Sequence, residues 1–236
     1  MKKKKLIFII IGILLIISIF FILGHIKKQK ERNEVLSKSR NEMIKKLKTF
    51  SYNGIVSIDL VGYKFDTNLD CKEDLNNRLG YCNITNKLVD IEEYLDYKNN
   101  VTYTKTDIIS NDSTDKWKKS KEKDIGEVTP MFKMFDGIKI SKEEKTDKGT
   151  IYIGEINGRS LRGILNSANK GTSRKFNLTK LFKRKVPVRI FVNNDNYVES
   201  IESNFKFLGI GFNIDIKYTD FNNTPSISLP GEINEL

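Results

Sequence analysis

Two cysteines are the residues with the clearest chemical potential in this sequence. Cys71 stands at the end of one predicted strand and Cys82 at the beginning of the next. A bridge between them would cross a hairpin and place Leu69 opposite Ile84, which keeps the apolar faces of both strands together. The spacing is too long for Cys-x-x-Cys redox chemistry, and two cysteines without histidine make a poor zinc site. The sequence therefore predicts a structural disulfide, with two reduced cysteines as the alternative.

The other polar residues form no catalytic set. The single histidine, His25, borders an apolar N-terminal segment, which argues against the commonest triads and histidine metal sites. Gly149, Gly154 and Gly158 fit strands and turns rather than a phosphate loop. Two acidic clusters fit predicted turns and polar strand faces, and neither has calcium-loop spacing. They comprise Asp70, Glu73 and Asp74, and Asp90, Glu92 and Glu93. We expect no enzymatic activity, no cofactor and no metal.

The basic charge of the chain lies almost wholly at its N-terminus. The 236 residues carry a formal charge of +11 and a pI near 9.4, values that would suit a nucleic-acid binder. However, residues 1–48 hold 13 Lys and Arg against 3 acidic residues, whereas residues 49–236 hold 28 against 27. Because the part that folds is nearly neutral, we expect no nucleic-acid partner.

A local basic run remains between Arg159 and Arg189, where ten Lys and Arg occur without an acidic residue. Such a patch suits anionic lipid headgroups or wall polymers, and the alternative is a solvated loop and helix face. The residues that we assign to this candidate patch are Arg174, Lys175, Lys183, Arg184 and Lys185.

The N-terminal segment has the features of a membrane anchor. Four lysines precede the uncharged run Leu6–Gly24, whose 19 residues would span about 28 Å as a helix, close to the hydrocarbon thickness of a bilayer. No Ala-x-Ala cleavage site follows, and His25 stands where a lipoprotein signal would need cysteine. The sequence predicts an uncleaved anchor, with a cleaved signal peptide as the alternative.

Basic residues flank this run on both sides, so the positive-inside rule leaves its orientation open. Bacterial export signals begin with such a lysine run, and large domains translocate despite flanking charge. We expect a single-pass protein of the cell membrane, with its N-terminus in the cytoplasm and its body outside. Residues 1–26 would form the cytoplasmic lysine tail and transmembrane anchor, 27–41 a charged helical stalk, and 42–236 the extracytoplasmic domain.

The pattern after the anchor changes from helical to extended. Residues 27–50 predict a helix with Leu36, Leu47 and Phe50 on one stripe. From Tyr52 onward, apolar and polar residues alternate in successive segments, as in half-buried strands. The last predicted strand is Ile227–Leu229, and Cys82, Ile84 and Leu88 alternate on the strand after Cys71.

Two further helices are predicted, over Glu127–Asp136 and Arg159–Asn169. The fold class is mainly β (α+β). We expect a curved antiparallel sheet or half-barrel of about ten strands with two or three covering helices, preceded by one N-terminal transmembrane helix.

Several loose strand patterns carry a resemblance to a known group of proteins. They are Met43–Ile58, Tyr94–Thr104, Trp117–Lys119, Val188–Val192, Tyr197–Ile201, Tyr218–Asn222 and Ile227–Pro230. With these segments the chain resembles the LolA-like superfamily of bacterial envelope lipoprotein carriers and lipid-binding domains, which includes the LppX and LprG lipoproteins. The resemblance implies a half-barrel closed by helices around a cavity that accommodates lipid.

We therefore expect a membrane-anchored, extracytoplasmic, non-enzymatic domain that binds a membrane lipid or another apolar small molecule. The alternative is a protein-interaction or sensory module with a packed core, no ligand and an envelope protein as its partner. The residues expected to contact an apolar ligand are Phe65, Leu69, Met131, Met134, Phe135, Phe205 and Phe212.

Overall fold

A computed structural model describes residues 33–34, 36–38, 41, 45–60, 62–108, 116–121, 138–157, 185–207 and 209–235. In this part of the chain, eleven β-strands form one antiparallel sheet. The strands are β1 (Thr49–Leu60), β2 (Tyr63–Asp74), β3 (Leu79–Thr85), β4 (Val89–Asp96), β5 (Val101–Ile108), β6 (Lys118–Lys121), β7 (Lys139–Thr146), β8 (Gly149–Asn157), β9 (Lys185–Asn193), β10 (Val198–Phe207) and β11 (Ile210–Thr219).

The order of strands in the sheet is β6-β5-β4-β3-β2-β1-β11-β10-β9-β8-β7. The sheet thus consists of two meanders, β1 to β6 and β7 to β11. They are joined where β1 of the first meander pairs with β11 of the second, and β6 and β7 form the two edges. The prediction of a curved antiparallel sheet is confirmed, with eleven strands instead of about ten, and the sheet does not close into a barrel. The covering helices predicted over 127–136 and 159–169 lie outside the described residues.

One face of this sheet, which we call the inner face, carries most of the buried apolar residues. Alternation is clearest in β9, where Val186, Val188, Ile190 and Val192 are buried. Cross-strand register continues this face through most of the sheet. One row of inner-face residues, read across β3, β2, β1, β11, β10, β9 and β8, is Ile84, Leu69, Gly54, Ile216, Ile201, Ile190 and Tyr152.

The two ends of the strands hold different connections. The distal end holds the connections from β1 to β2 and from β10 to β11. The proximal end holds the turns from β2 to β3, β4 to β5, β7 to β8 and β9 to β10.

Gly54 lies in the middle of β1, where the two meanders meet. A Cβ added at this position would be 2.5 Å from the carbonyl oxygen of Asp215 and 2.9 Å from Cγ1 of Ile216. Glycine weakens a strand interior unless a close approach requires it. Here the close approach is that of β11, so the junction between the two meanders requires a residue without a side chain.

The helical residues before β1 contact the sheet. Among those described, Asn33 accepts a hydrogen bond through Oδ1 from the backbone N–H of Ile140 at 3.0 Å, and Leu36 and Leu47 are buried. Contact with the sheet therefore begins before residue 42, where we predicted the domain to begin. The predicted helix ends earlier than residue 50, because Phe50 already belongs to β1, where it is fully buried.

No helix among the described residues is both long enough and apolar enough to cross a bilayer. The predicted anchor, Leu6–Gly24, lies outside those residues, as does the first part of the predicted stalk.

The C-terminal segment differs from its prediction. Residues 225–230 form no strand, and Gly231–Glu235 form a 3₁₀ helix. The N–H of Ile227 donates to a carboxylate oxygen of Asp74 at 3.3 Å instead of to a strand partner. Ile233 is buried in a small cluster with Trp117, whose Nε1 donates to Glu232 at 3.2 Å. The tail is thus held by side chains of the sheet rather than by a strand ladder.

Leu88, which we predicted on the strand after Cys71, lies in the turn between β3 and β4 and is 62% exposed. The reason is that Asn86 ends the strand, since its Oδ1 accepts hydrogen bonds from the N–H groups of Leu88 and Val89.

The substitution Gly54→Ala is expected to lower the free energy of unfolding by about 1–3 kcal/mol, because its methyl group must displace the backbone of β11. Gly231→Ala is the matched control, since no atom lies within 4 Å of the added Cβ. Denaturant unfolding of the detergent-solubilised full chain, followed by Trp117 fluorescence, measures both variants. Equal stability of the two variants would contradict the assigned close approach.

Candidate functional site

Four apolar side chains form a row across the inner face near its distal end. In cross-strand register, Phe65 of β2 faces Ile58 of β1, Ile58 faces Phe212 of β11, and Phe212 faces Phe205 of β10. The rings of Phe205 and Phe212 are stacked, with centroids 5.0 Å apart and planes 10° apart. Phe65 is 46% exposed, Ile58 and Phe205 are half-buried, and Phe212 is buried. We call these four residues the aromatic row.

Three residues predicted for ligand contact, Phe65, Phe205 and Phe212, therefore lie together. Leu69 shares the inner face of β2 with Phe65 but lies deeper along the strand and is buried. The other predicted contacts, Met131, Met134 and Phe135, are outside the described residues. Ile58 was not predicted, although the alternation of β1 and a tight turn at Gly62 together place it opposite Phe65.

Toward the proximal end, the inner face is closed and fully buried. Ile190, Ile201, Ile214 and Ile216 have at most 1% of their surface exposed. The aromatic row thus lies at the open end of this face. The next inner-face residues along the same strands are Thr67, Val56, Ile214 and Ser203. The hydroxyl of Ser203 is buried and donates to the carbonyl oxygen of Pro187 at 2.6 Å, so it is already paired.

A carboxyl group is buried at the proximal end of the same face. Glu73 of β2 is 1% exposed, and the hydroxyl of Tyr97 donates to its two carboxylate oxygens at 3.1 and 3.0 Å. Gly80 provides the space, because a Cβ there would lie 2.9 Å from the Tyr97 hydroxyl and 3.1 Å from Oε2 of Glu73. Burial raises the pKa of Glu73 to about 8, partly offset by the hydrogen bond from Tyr97.

Three aromatic residues of β1 and β11 surround this carboxyl group on the inner face. The ring centroids of Phe50, Tyr52 and Tyr218 lie 5.9–6.2 Å from one another. Burial, and secondarily the charge of Glu73, raises the pKa of both Tyr52 and Tyr218 well above the usual value. These phenols stay neutral at physiological pH, and Glu73 is largely protonated there. The proximal end therefore contains buried polar groups that carry little charge.

We predicted that the acidic clusters lie at turns and polar strand faces, and this is wrong for Glu73 and Glu93. Both are buried, with 1% and 3% of their surface exposed. The reason is that β2 continues past Cys71 to Asp74, so the alternation of the strand turns Glu73 inward. Asp74 is also buried, with 1% of its surface exposed, but it does lie at a turn, since its carboxylate accepts from the N–H and Nδ2 of Asn77.

The predicted disulfide is confirmed. Cys71 and Cys82 are directly opposite in β2 and β3, are bonded, and are buried on the inner face. Leu69 faces Ile84, as expected. The two strands extend several residues beyond the cysteines, so the bridge joins their interiors instead of their ends.

The remaining predicted sites contribute little to this region. Within the described ranges, no three His, Cys, Asp or Glu side chains come together as metal ligands. Lys185 begins β9 and forms an ion pair with Glu155 at 3.2 Å. The other residues of the candidate basic patch are outside the described residues. Gly149 and Gly154 belong to β8, as the strand interpretation predicted, and Gly158 lies outside the described residues.

Comparisons with known proteins find structural similarity only. No model of a protein family matches the chain, and no curated protein sequence matches it. The structure is similar to the lipoprotein LppX of Mycobacterium tuberculosis, with 10% identity, 83% of this chain and 98% of that chain covered, and a TM-score of 0.47. It is also similar to a DUF1329 family protein from Desulfovibrio piger, with 8% identity, 85% and 95% covered, and a TM-score of 0.33. LppX is one of the lipoproteins included in the group that the sequence resembles.

Stability should fall with increasing pH because of Glu73. Its pKa is about 4.5 when solvated and about 8 in the fold. The folded state therefore binds the proton more tightly, and the stabilisation is present below pH 4.5 and is lost as the pH rises toward 8. Glu73→Gln keeps an acceptor for Tyr97 and removes the titration. The wild type is expected to lose roughly 3 kcal/mol more than this variant between pH 5 and pH 8, as measured by denaturant unfolding.

A second variant, Tyr97→Phe, tests the cause of the shift. Loss of its hydrogen bond should raise the pKa of Glu73 further, so that the decrease in stability extends to higher pH than in the wild type. Identical pH dependence of the wild type and Glu73→Gln would show that another group controls it.

Proposed function

We propose that this protein is a membrane-anchored, extracytoplasmic, non-enzymatic domain that binds a lipid or another apolar ligand against the aromatic row. The observation that carries the proposal is the incomplete burial of this row on a face that is otherwise closed. Phe65 keeps 46% of its surface exposed, while Ile214, two residues along β11 from Phe212, is 1% exposed.

Binding of an apolar ligand accounts for the incomplete burial of the aromatic row. Exposed phenylalanine side chains gain free energy when an apolar molecule removes their surface from water. Sites for small apolar molecules are concave and are lined mainly by hydrophobic and aromatic side chains. A curved, unclosed sheet with aromatic residues at one end of its inner face supplies this chemistry.

The sequence outside the described residues supplies the rest of the proposal. The predicted helix over 127–136 contains Met131, Met134 and Phe135, and methionine suits surfaces that adapt to different apolar ligands. We propose that these residues form the opposite wall of the site. The run Leu6–Gly24 is the proposed anchor, and the basic patch that includes Arg174 is proposed to contact anionic headgroups.

A second function, a protein-interaction or sensory module without a ligand, is favoured by one observation. The fully buried isoleucines of β9, β10 and β11 show that much of the inner face packs without any ligand. On this alternative, the core is filled throughout, and the aromatic row contacts an envelope protein. The two functions differ in whether a free apolar molecule competes for the row.

A charge placed in the aromatic row should abolish binding of an apolar molecule. Phe65→Asp is expected to raise the Kd of the full chain for a fluorescent fatty acid at least tenfold, because a carboxylate in contact with an alkyl chain must lose its hydration. The side chain is half-exposed in the free protein, so the variant retains the fold. Fluorescence titration measures the effect.

Ile55→Asp is the matched control. Ile55 is 44% exposed, close to the 46% of Phe65, but it lies on the opposite face of the sheet because it alternates with Ile58 along β1. Its Kd should equal that of the wild type. A wild type that takes up no apolar probe, or equal effects of the two substitutions, would favour the interaction module.

A further inference from the structure

Two adjacent connections at the distal end of the sheet lack the polar residues that the proximal turns contain. Proximal turns contain the polar residues usual in turns: Asn76–Arg78, Lys98–Asn100, Asp147–Lys148 and Asn194–Asn196. Whereas the β3–β4 turn at the distal end, Asn86–Leu88, contains polar residues, the connections from β1 to β2 and from β10 to β11 read Leu60-Val61-Gly62-Tyr63 and Phe207-Leu208-Gly209-Ile210. Each contains one glycine with positive φ, +89° at Gly62 and +80° at Gly209, and otherwise only apolar or aromatic residues. We call these two connections the distal tips.

The distal tips lie side by side. Because β1 and β11 are neighbours, Leu60 pairs with Tyr63 within its own hairpin and with Ile210 of the other hairpin. No atom lies within 4 Å of a Cβ added at Gly62 or Gly209, and Tyr63 is 74% exposed. Gly62, Gly209 and Tyr63 therefore lie at an open surface of the protein.

Other exposed apolar residues lie at the same end of the sheet. Leu88, which directly precedes β4, is 62% exposed, and Ile108, which ends β5 opposite Val89, is 41% exposed. Four of the five large hydrophobic residues that are exposed in the described part of the chain, Tyr63, Phe65, Leu88 and Ile108, thus belong to the distal end. Concentration of exposed apolar surface in this way marks an interaction site.

The path of the chain shows which surface lies near this end. Asn33 bonds to Ile140, close to the start of β7, and β7 starts at the distal end because its turn with β8 is proximal. Only residues 25–32 separate Asn33 from the apolar run that ends at Gly24. Even a fully extended connection of this length reaches about 30 Å. The proposed anchor therefore lies within about 30 Å of the distal start of β7.

We propose that the distal tips form a membrane-docking surface, which enters the interfacial region of the bilayer that holds the chain's own anchor. This proposal rests on the proposed function for the anchor. Aromatic and aliphatic side chains on narrow loops enter the headgroup region readily, and tyrosine is enriched there. Lys87 and Lys206 are exposed near the same end and supply positive charge for phosphate groups.

Docking in this orientation gives the ligand of the proposed function a route from the bilayer to the aromatic row. The aromatic row begins at Phe65 and Phe212, two residues from the distal tips in β2 and β11. A lipid leaving the bilayer beside the distal tips would therefore reach the row without crossing water. The substrate class that fits is a membrane phospholipid or a fatty acyl chain taken directly from the bilayer.

Depth measurements on the full chain in phospholipid vesicles test the docking. Single cysteines carrying an environment-sensitive fluorophore are placed by Tyr63→Cys and Ile210→Cys, and by Lys98→Cys and Asp195→Cys at the proximal end. The native Cys71–Cys82 disulfide keeps the native cysteines unreactive. Nitroxide groups on the lipid chains should quench both distal labels at least threefold more than both proximal labels. Equal quenching at the two ends would overturn the proposal.

A charged variant separates docking from ligand binding. Val61→Asp combined with Leu208→Asp should remove the additional quenching and slow the transfer of a fluorescent fatty acid from vesicles at least tenfold. Its Kd for the same fatty acid delivered in solution should stay at the wild-type value. A variant that still shows the wild-type transfer rate would overturn the docking surface. A wild type that binds no fatty acid while its distal labels are quenched would contradict the proposed ligand and support the docking surface.

Discussion

The pairing of the first strand with the last is the interaction on which the rest of the structure depends. All other neighbouring strands in the described sheet are consecutive in the chain. The ten residue pairs between β1 and β11 join parts of the chain that are 150 to 168 positions apart, from Leu60 with Ile210 to Ser51 with Thr219. Closing so large a loop costs conformational entropy that only extensive pairing and burial recover.

This pairing also creates the candidate site. Phe65 and Ile58 belong to the first meander, and Phe212 and Phe205 belong to the second, so the aromatic row exists only where β1 and β11 are joined. The same is true of the distal tips, which are neighbours because Leu60 pairs with Ile210. Gly54 at the junction therefore supports the ligand site and the proposed docking surface without taking part in either.

The polarity and the burial of the inner face both change along the strands. At the proximal end, Glu73, Tyr97 and neighbouring tyrosines fill the face with hydrogen-bonded groups whose burial favours neutral forms. At the distal end, the residues are apolar and incompletely buried. A ligand with an alkyl chain would gain the most free energy at the distal end. The closed proximal end, crossed by the Cys71–Cys82 bridge, gives that surface a rigid base.

Much of this arrangement could be predicted from the sequence because strand alternation and turn residues are local signals. The disulfide between Cys71 and Cys82 and the placement of Phe65, Phe205 and Phe212 on the apolar faces of their own strands depend on such signals. The pairing of β1 with β11 could not be derived from alternation, since nothing local specifies which distant strands are neighbours.

Errors arose where a local signal was misleading. Glu73 is a charged residue type in a segment expected to be a turn, and only the length of β2 places it in the interior. Ile227–Leu229 has the composition of a strand, but its backbone bonds to the Asp74 side chain instead of to a neighbouring strand. In both cases, contacts between residues far apart in sequence outweighed the local preference.

The central claim is that the inner face holds an apolar molecule at the aromatic row. The most direct measurement is native mass spectrometry of the full chain, purified from the membranes of its own host in a mild detergent and followed by identification of any released molecule. We expect a protein mass increased by one lipid or fatty acid, which dissociates on activation in the gas phase. A mass equal to that of the chain alone, with no lipid released on denaturation, would contradict the claim.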